Sequence, residues 1–128
     1  KHLYVLNTST DSISVIDTST LKELKRLSAS RSPWSLSLSP DGSEVYVTNN
    51  LSRFVEMRTP SMSEVTVLDT GRAIIKERRV VPAANLLQGI DWHPSGKFGR
   101  MDSLSTADGK DGGKAAKGMQ RVKRSVSV

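Results

Sequence analysis

Leu3-Tyr4-Val5-Leu6-Asn7 recurs as Val45-Tyr46-Val47-Thr48-Asn49, 42 residues further on. Ile13-Ser14-Val15-Ile16-Asp17-Thr18 recurs as Val65-Thr66-Val67-Leu68-Asp69-Thr70 at an offset of 52, and Ser39-Pro40-Asp41-Gly42 as His93-Pro94-Ser95-Gly96 at 54. Order is preserved while the offset grows. The chain therefore carries a repeat of about 42 residues, with an insertion of ten between Asn49 and Val65. A unit of this size is one supersecondary piece that buries its faces only by stacking on neighbours, which restricts the fold to a repeat architecture.

Each unit predicts four short strands. Trp34 to Ser39 alternates Trp34, Leu36 and Leu38 with serines at period two, and Leu86 to His93 is its partner in the next unit. Glu44 to Thr48 is rich in β-branched and aromatic residues. Asp41-Gly42 between these two strands is a tight-turn signal, because glycine accepts the positive φ of a hairpin turn. Glu64 to Asp69, matched by Ser12 to Asp17, is the third strand. Lys76 to Val81, matched by Glu23 to Leu27, is the fourth. Leu21 to Leu27 could also pass for a helical turn and a half. Its counterpart Ile74 to Val81 is β-branched and ends at Pro82, which favours strands for both.

The series Ser39-Pro40-Asp41-Gly42, Val45-Tyr46-Val47-Thr48-Asn49 and Val65-Thr66-Val67-Leu68-Asp69-Thr70 resembles the YVTN-repeat family of β-propellers, over residues 3–98. Haem-d1-binding and lactonase-like propellers are relatives of that group. The resemblance implies an all-β fold of roughly two four-stranded antiparallel blades, an incomplete β-propeller. Within it, Trp34–Ser39 would be innermost and Lys76–Val81 outermost. It also implies an extracytoplasmic setting, periplasmic or at the cell surface. The first residue is Lys1, with neither Met nor a signal peptide before the repeat, so that end reveals no compartment.

After Phe98 the pattern asks for another Tyr-Val-Thr-like strand and meets Gly99-Arg100-Met101-Asp102-Ser103-Leu104 instead. Residues 99–128 contain no aromatic and no sustained alternation, a composition expected to stay disordered. The expected organisation is a propeller piece over 1–98 and a basic low-complexity tail over 99–128. Such a tail would be either native or the product of a truncated or shifted reading frame. One full blade (34–82) would then stand between a three-strand piece and a single inner strand. Too few blades to close a ring leave sheet edges open, so the chain is expected to need further blades or self-association for stability.

Charge and composition narrow the chemistry. The net charge of +6 divides into +2 over residues 1–98 and +4 over 99–128. Arg78-Arg79 and the tail's Lys114, Lys117, Arg121, Lys123 and Arg124 could meet nucleic acid, but two Trp, two Tyr and two Phe leave few stacking partners, which argues against it. Without cysteine there is no thiolate metal site, disulfide or attached c-type haem, and two distant histidines do not make a metal site. No cofactor and no catalytic residue is expected. No apolar run approaches the ~18 residues of a membrane span.

Among polar candidates, Asp17 and Asp69 could hold a cation, but their repetition favours turn capping. His93 starts a turn where the first unit has Ser39, and a hydrogen bond to nearby backbone is its expected role. The insertion is the one departure within the repeat. In a propeller blade its loop shares a face with the connections between blades, which would group Arg53 and Arg58 with Arg31 and Asn85. Arginines gathered so can hold a carboxylate or phosphate bidentately; the competing reading is a longer solvated loop. The expected function is a non-catalytic platform for a protein or a small anionic ligand. The alternative is part of a propeller oxidoreductase or hydrolase, such as a cytochrome-c-linked one, with its catalytic residues outside this chain.

Overall fold

The structure is a computed structural model that describes residues 1–51, 62–82, 84–93, 95–106 and 126–127. Strands β1 (His2–Asn7), β2 (Ser12–Asp17) and β3 (Glu23–Ser28) form a first sheet in that order. Strands β4 (Pro33–Leu38), β5 (Glu44–Asn49), β6 (Met62–Asp69) and β7 (Ile74–Pro82) form a four-stranded meander. Strand β8 (Ala84–Trp92) pairs with β9 (Phe98–Thr106), and the two-residue β10 (Val126–Ser127) lies along the far edge of β9. All these pairings are antiparallel, and Leu21–Leu27 contributes strand β3 rather than a helix.

Alternation along β5 places the middle sheet between two cores. Val45 and Val47 join Ile13, Ala29 and Leu68, with Tyr4, Leu6 and Leu27 around them, against the first sheet. Tyr46, one residue out of phase, joins Val65, Val67, Leu87 and Met101, with Val81, Ile90 and Trp92 around them, against the third sheet. Successive side chains of a strand point to opposite faces, so one pentapeptide serves both interfaces. The register agrees: Val45 sits opposite Leu68, and Tyr46 opposite Val67.

The turns repeat as faithfully as the strands. Gly42 and Gly96 have φ of 74° and 69°, and each donates its N–H at 2.8 Å to the carbonyl three residues back, on Ser39 and His93. Leu21 and Ala73, 52 residues apart, share φ of 56° and 50°, and Ser32 and Leu86, 54 apart, both have 54°. Left-handed non-glycine residues often mark strained functional sites. Here Leu21 and Ala73, and Ser32 and Leu86, recur at equivalent positions, which identifies these four as a feature of the repeat, while Asp11, at φ 51°, stands alone among the described residues.

The asparagine that ends the pentapeptide also has a repeated task. Asn49 Nδ2 donates to Thr66 Oγ1 at 3.0 Å and Asn7 Nδ2 to Ser14 Oγ at 2.9 Å, tying second strand to third in both sheets.

The expected break after Phe98 is corrected. Strand β9 crosses it, with Trp92 opposite Gly99 and Ile90 opposite Met101, and Met101 is buried in the Tyr46 core. The second unit therefore has its second strand, and residues 99–106 are not coil. The local pattern hid this because Gly99 and Ser103 are small and Met101 stands between Arg100 and Asp102. Burial against another sheet, not alternation, supports the strand. Residues 107–125, the larger part of the expected tail, lie outside the described residues.

Turn carboxylates respond to pH. Hydrogen bonds from the Ser19 hydroxyl and the Ser19 and Thr20 N–H groups hold Asp17 at about 2, and bonds from Ser39 and Ser43 do the same for Asp41. A carboxyl lower in the folded chain than its unfolded value of ~3.9 stabilises the fold above that value and loses the contribution as pH falls through about 2. The thermal midpoint should therefore decline on acidification from about pH 5 to about pH 2. Asp41→Asn should flatten part of that decline; an unchanged pH profile would contradict the capping role.

Candidate functional site

The connection from β3 to β4, the base of the β5–β6 loop and the start of β8 meet at one end of the sheets. Asn50 N donates to Ser32 O at 2.9 Å and Leu51 N to Arg31 O at 3.3 Å. Leu86 N donates to Asn50 O at 3.3 Å, and the buried Ser63 Oγ to the same carbonyl at 3.0 Å. Asp11 secures the connection from the first sheet: Ser32 N bonds to its Oδ1 at 2.7 Å, and Ala29 N to its carbonyl at 2.8 Å. Backbone bonds thus lock three segments from three sheets into one surface. Because β5 must leave its sheet beside the crossing into β4, the loop base has this connection as its nearest partner.

Of the four expected site residues, Arg31 is exposed on this surface and its carbonyl anchors the loop base. Asn85 lies on β8 opposite Ser105, one residue before Leu86, whose N–H is part of the same network. Arg53 and Arg58 lie outside the described residues. Beneath the surface is a buried polar layer that includes Ser30, Thr48, Asn49, Ser63, Glu64 and Thr66. Asn49 Nδ2 faces three acceptors there, Val47 O and Glu64 O at 3.1 Å and Thr66 Oγ1 at 3.0 Å. Such a layer has fixed geometry, because each broken bond would leave a buried group unpaired.

The other polar candidates act within turns. His93 Nδ1 accepts from Ser95 N at 3.1 Å and lies 2.8 Å from Ser95 Oγ, the local bonding expected of it. Asp69 takes Arg72 N and the Arg72 guanidinium, both at 2.9 Å at the closest, and these bonds lower its pKa. Among the described residues no three His, Asp or Glu side chains gather to hold a metal ion, and no helix is long and apolar enough to cross a membrane.

At the opposite end of β4 and β5 lies a cleft of about 340 Å³ that the sequence did not suggest. Trp92 stands edge-on to Tyr46, with ring centroids 4.9 Å apart, and Asp41 and Glu44 form the polar rim. Tyr46 donates its hydroxyl to Glu44 Oε2 at 2.7 Å, and Lys76 pairs with Oε1. Lys76 and Tyr46 together lower the Glu44 pKa, while burial first and the Glu44 bond second push the Tyr46 hydroxyl up. The carboxylates are already engaged, so this cleft is a strut between two sheets with an aromatic wall. Only the period-two placement of Ile90 and Trp92 could have pointed to it.

Comparison with known proteins follows this geometry. A family model described as YNCE-like beta-propeller matches residues 1–109, past the end of β9. A solved structure titled "Structure of Dos1 propeller" is similar with a TM-score of 0.56 and 18% identity, covering 75% of this chain and 23% of that one. A hydrazine synthase of Kuenenia stuttgartiensis is 19% identical over 91% of this chain and 43% of its own, with a TM-score of 0.43. The chain thus spans about a quarter of the first of these and under half of the second. No curated protein matches it.

Proposed function

Since this chain belongs to the YNCE-like β-propeller family, we propose that it is a non-catalytic repeat segment serving as a rigid binding platform in an extracytoplasmic protein. Its repeats are of the YVTN kind, from the order of the turn, second-strand and third-strand motifs. The binding surface is the loop end, where Arg31, Arg53, Arg58 and Asn85 receive a small anionic ligand or an acidic protein segment. One observation carries this reading: the hydrogen-bonded union of Arg31–Ser32, Asn50–Leu51 and Leu86 over a buried polar layer. Loops tied to a stiff sheet hold binding groups at fixed positions, which lowers the entropy lost on binding.

Titration with inorganic phosphate, followed by chemical-shift changes at Arg31, Asn50 and Leu51, tests the platform. The wild-type chain should give saturable shifts. The triple variant Arg31→Ala, Arg53→Ala, Arg58→Ala should bind about tenfold or more weakly with an unchanged unfolding midpoint, as expected for loss of guanidinium forks. Equal affinity would remove these arginines from the site. Fractionation of cells expressing the parent protein tests the extracytoplasmic setting, and recovery in the cytosol would refute it.

A further inference from the structure

Two residues of the cleft between the second and third sheets depart from the repeat. Trp92 stands where the preceding unit has Leu38, at the offset of 54, and Glu44 stands where it has His2, at the offset of 42. Residues that recur, such as Asp17 and Asp69, serve their turns, so the departures are where a site added to the fold would lie. The cleft they line encloses about 340 Å³, within the ~300–1,000 Å³ of small-molecule pockets. All its lining residues belong to a first strand, a second strand or the turn that joins them. It is therefore built without any third or fourth strand.

The chemistry of the walls is one-sided. Trp92 and Tyr46 meet at 81° and form an aromatic corner. Ser39 and Ser43 donate their hydroxyls to Asp41 Oδ1 at 2.6 and 2.9 Å, and Tyr46 donates its own to Glu44 at 2.7 Å. The hydroxyl donors are thus consumed, whereas the carboxylates keep lone pairs, since each offers about four acceptor sites. Glu44 takes Tyr46 on one oxygen and Lys76 on the other, and Asp41 Oδ2 takes the Ser43 hydroxyl at 2.9 Å. Because Glu44 already has its cation in Lys76, the arrangement favours a neutral ligand over a charged one. The indole N–H of Trp92 is buried without an acceptor, so packing alone sets the orientation of that ring.

We propose that this cleft binds a neutral sugar ring. The C–H face of a pyranose is apolar and lies on the aromatic corner, displacing water from it. The hydroxyls at the ring's edge donate to the open lone pairs of Asp41 and Glu44, and a small turn of Trp92 gives its N–H to a ligand oxygen. A ligand with an apolar face and a donor-rich edge matches a site with an aromatic wall and spare acceptors, because no polar group of either partner is left unpaired. The hydrogen bonds from Ser39, Ser43 and Tyr46 hold the acceptors in place before the ligand arrives, which lowers the ordering cost of binding. The cleft lies at the end of β4 and β5 opposite the arginine surface and is independent of that surface's ligand.

The test titrates the full chain with glucose, galactose, mannose and N-acetylglucosamine while the two indole N–H resonances are followed. At least one sugar should move the Trp92 signal saturably at millimolar concentration. Trp34, 51% exposed and outside the cleft, is the internal control and should not move. Trp92→Leu restores the residue that the repeat carries at Leu38, and it should weaken binding about tenfold or more, read from the Gly96 amide. Asp41→Asn, which replaces one acceptor oxygen by a donor, should weaken it severalfold. The wild-type titration decides the matter if either variant fails to fold. No movement of Trp92 with any of the four sugars, or equal movement of Trp34, overturns the proposal. So does a saturable shift with tetramethylammonium and none with the sugars, since the cleft would then select a cation.

Discussion

Leu68→Ala is expected to remove most of the cooperative stability of this chain. Leu68 is fully buried, in one cluster with Ile13 of the first sheet, Ala29 just beyond β3, and Val45 and Val47 of its own sheet. Truncating a buried leucine costs about 2–5 kcal/mol, from lost transfer energy and from the cavity that remains. A domain of ordinary stability has about 5–15 kcal/mol in total. Here the apolar core is divided between two inter-sheet clusters, so the reserve lies toward the low end. The urea midpoint followed by circular dichroism should fall sharply or the transition should disappear. Leu24→Ala, at a side chain 51% exposed, should change the midpoint little. Equal effects at the two positions would mean that the first and second sheets are not joined through Leu68.

The second large effect is expected from the repeated asparagine, and it should be unequal between the repeats. Asn49 is fully buried, and its two amide hydrogens serve three acceptors, two of them backbone carbonyls. Asn49→Ala leaves Val47 O and Glu64 O without these donors, and an unsatisfied buried group costs about 1–3 kcal/mol. Asn7 is half-buried and donates to the hydroxyls of Ser12 and Ser14, at 3.2 and 2.9 Å. Those hydroxyls can rotate toward water or toward each other, so Asn7→Ala should cost about 0.5–1.5 kcal/mol. Urea midpoints of the two single variants measure the difference. A larger loss at Asn7 would contradict the buried layer beneath the loop surface.

How much of this was legible depends on the residue. The strand at Ser12–Asp17 was readable to the residue and that at Glu44–Asn49 to within one, because alternation and β-branched composition agree there with flanking turn chemistry. Asp41-Gly42 and His93 were readable as turns because their bonds are local. Strand β9 was not, since its support comes from Met101 reaching a core built by residues up to 55 positions earlier. The grouping of Arg31 with the insertion came from blade topology, and the insertion lies outside the described residues; the left-handed Ser32 and the bonds from Asn50 and Leu51 to Ser32 and Arg31 leave no mark in composition. The Tyr46–Trp92 cleft joins two units, and the period-two placement of Ile90 and Trp92 marks a covered face without telling which unit covers it.

By itself the sequence determined the repeat, its all-β character and the order of strands within each unit. These follow from side-chain periodicity and turn preferences, which act over a few residues. Only the tertiary structure decided which face of each strand is covered. Val45 and Tyr46 are adjacent and both buried, one against the first sheet and one against the third, whereas Leu36 and Leu38 read as core yet stand in the open. Burial belongs to pairs of sheets, and a strand's own alternation fixes that two faces exist without fixing what lies against each.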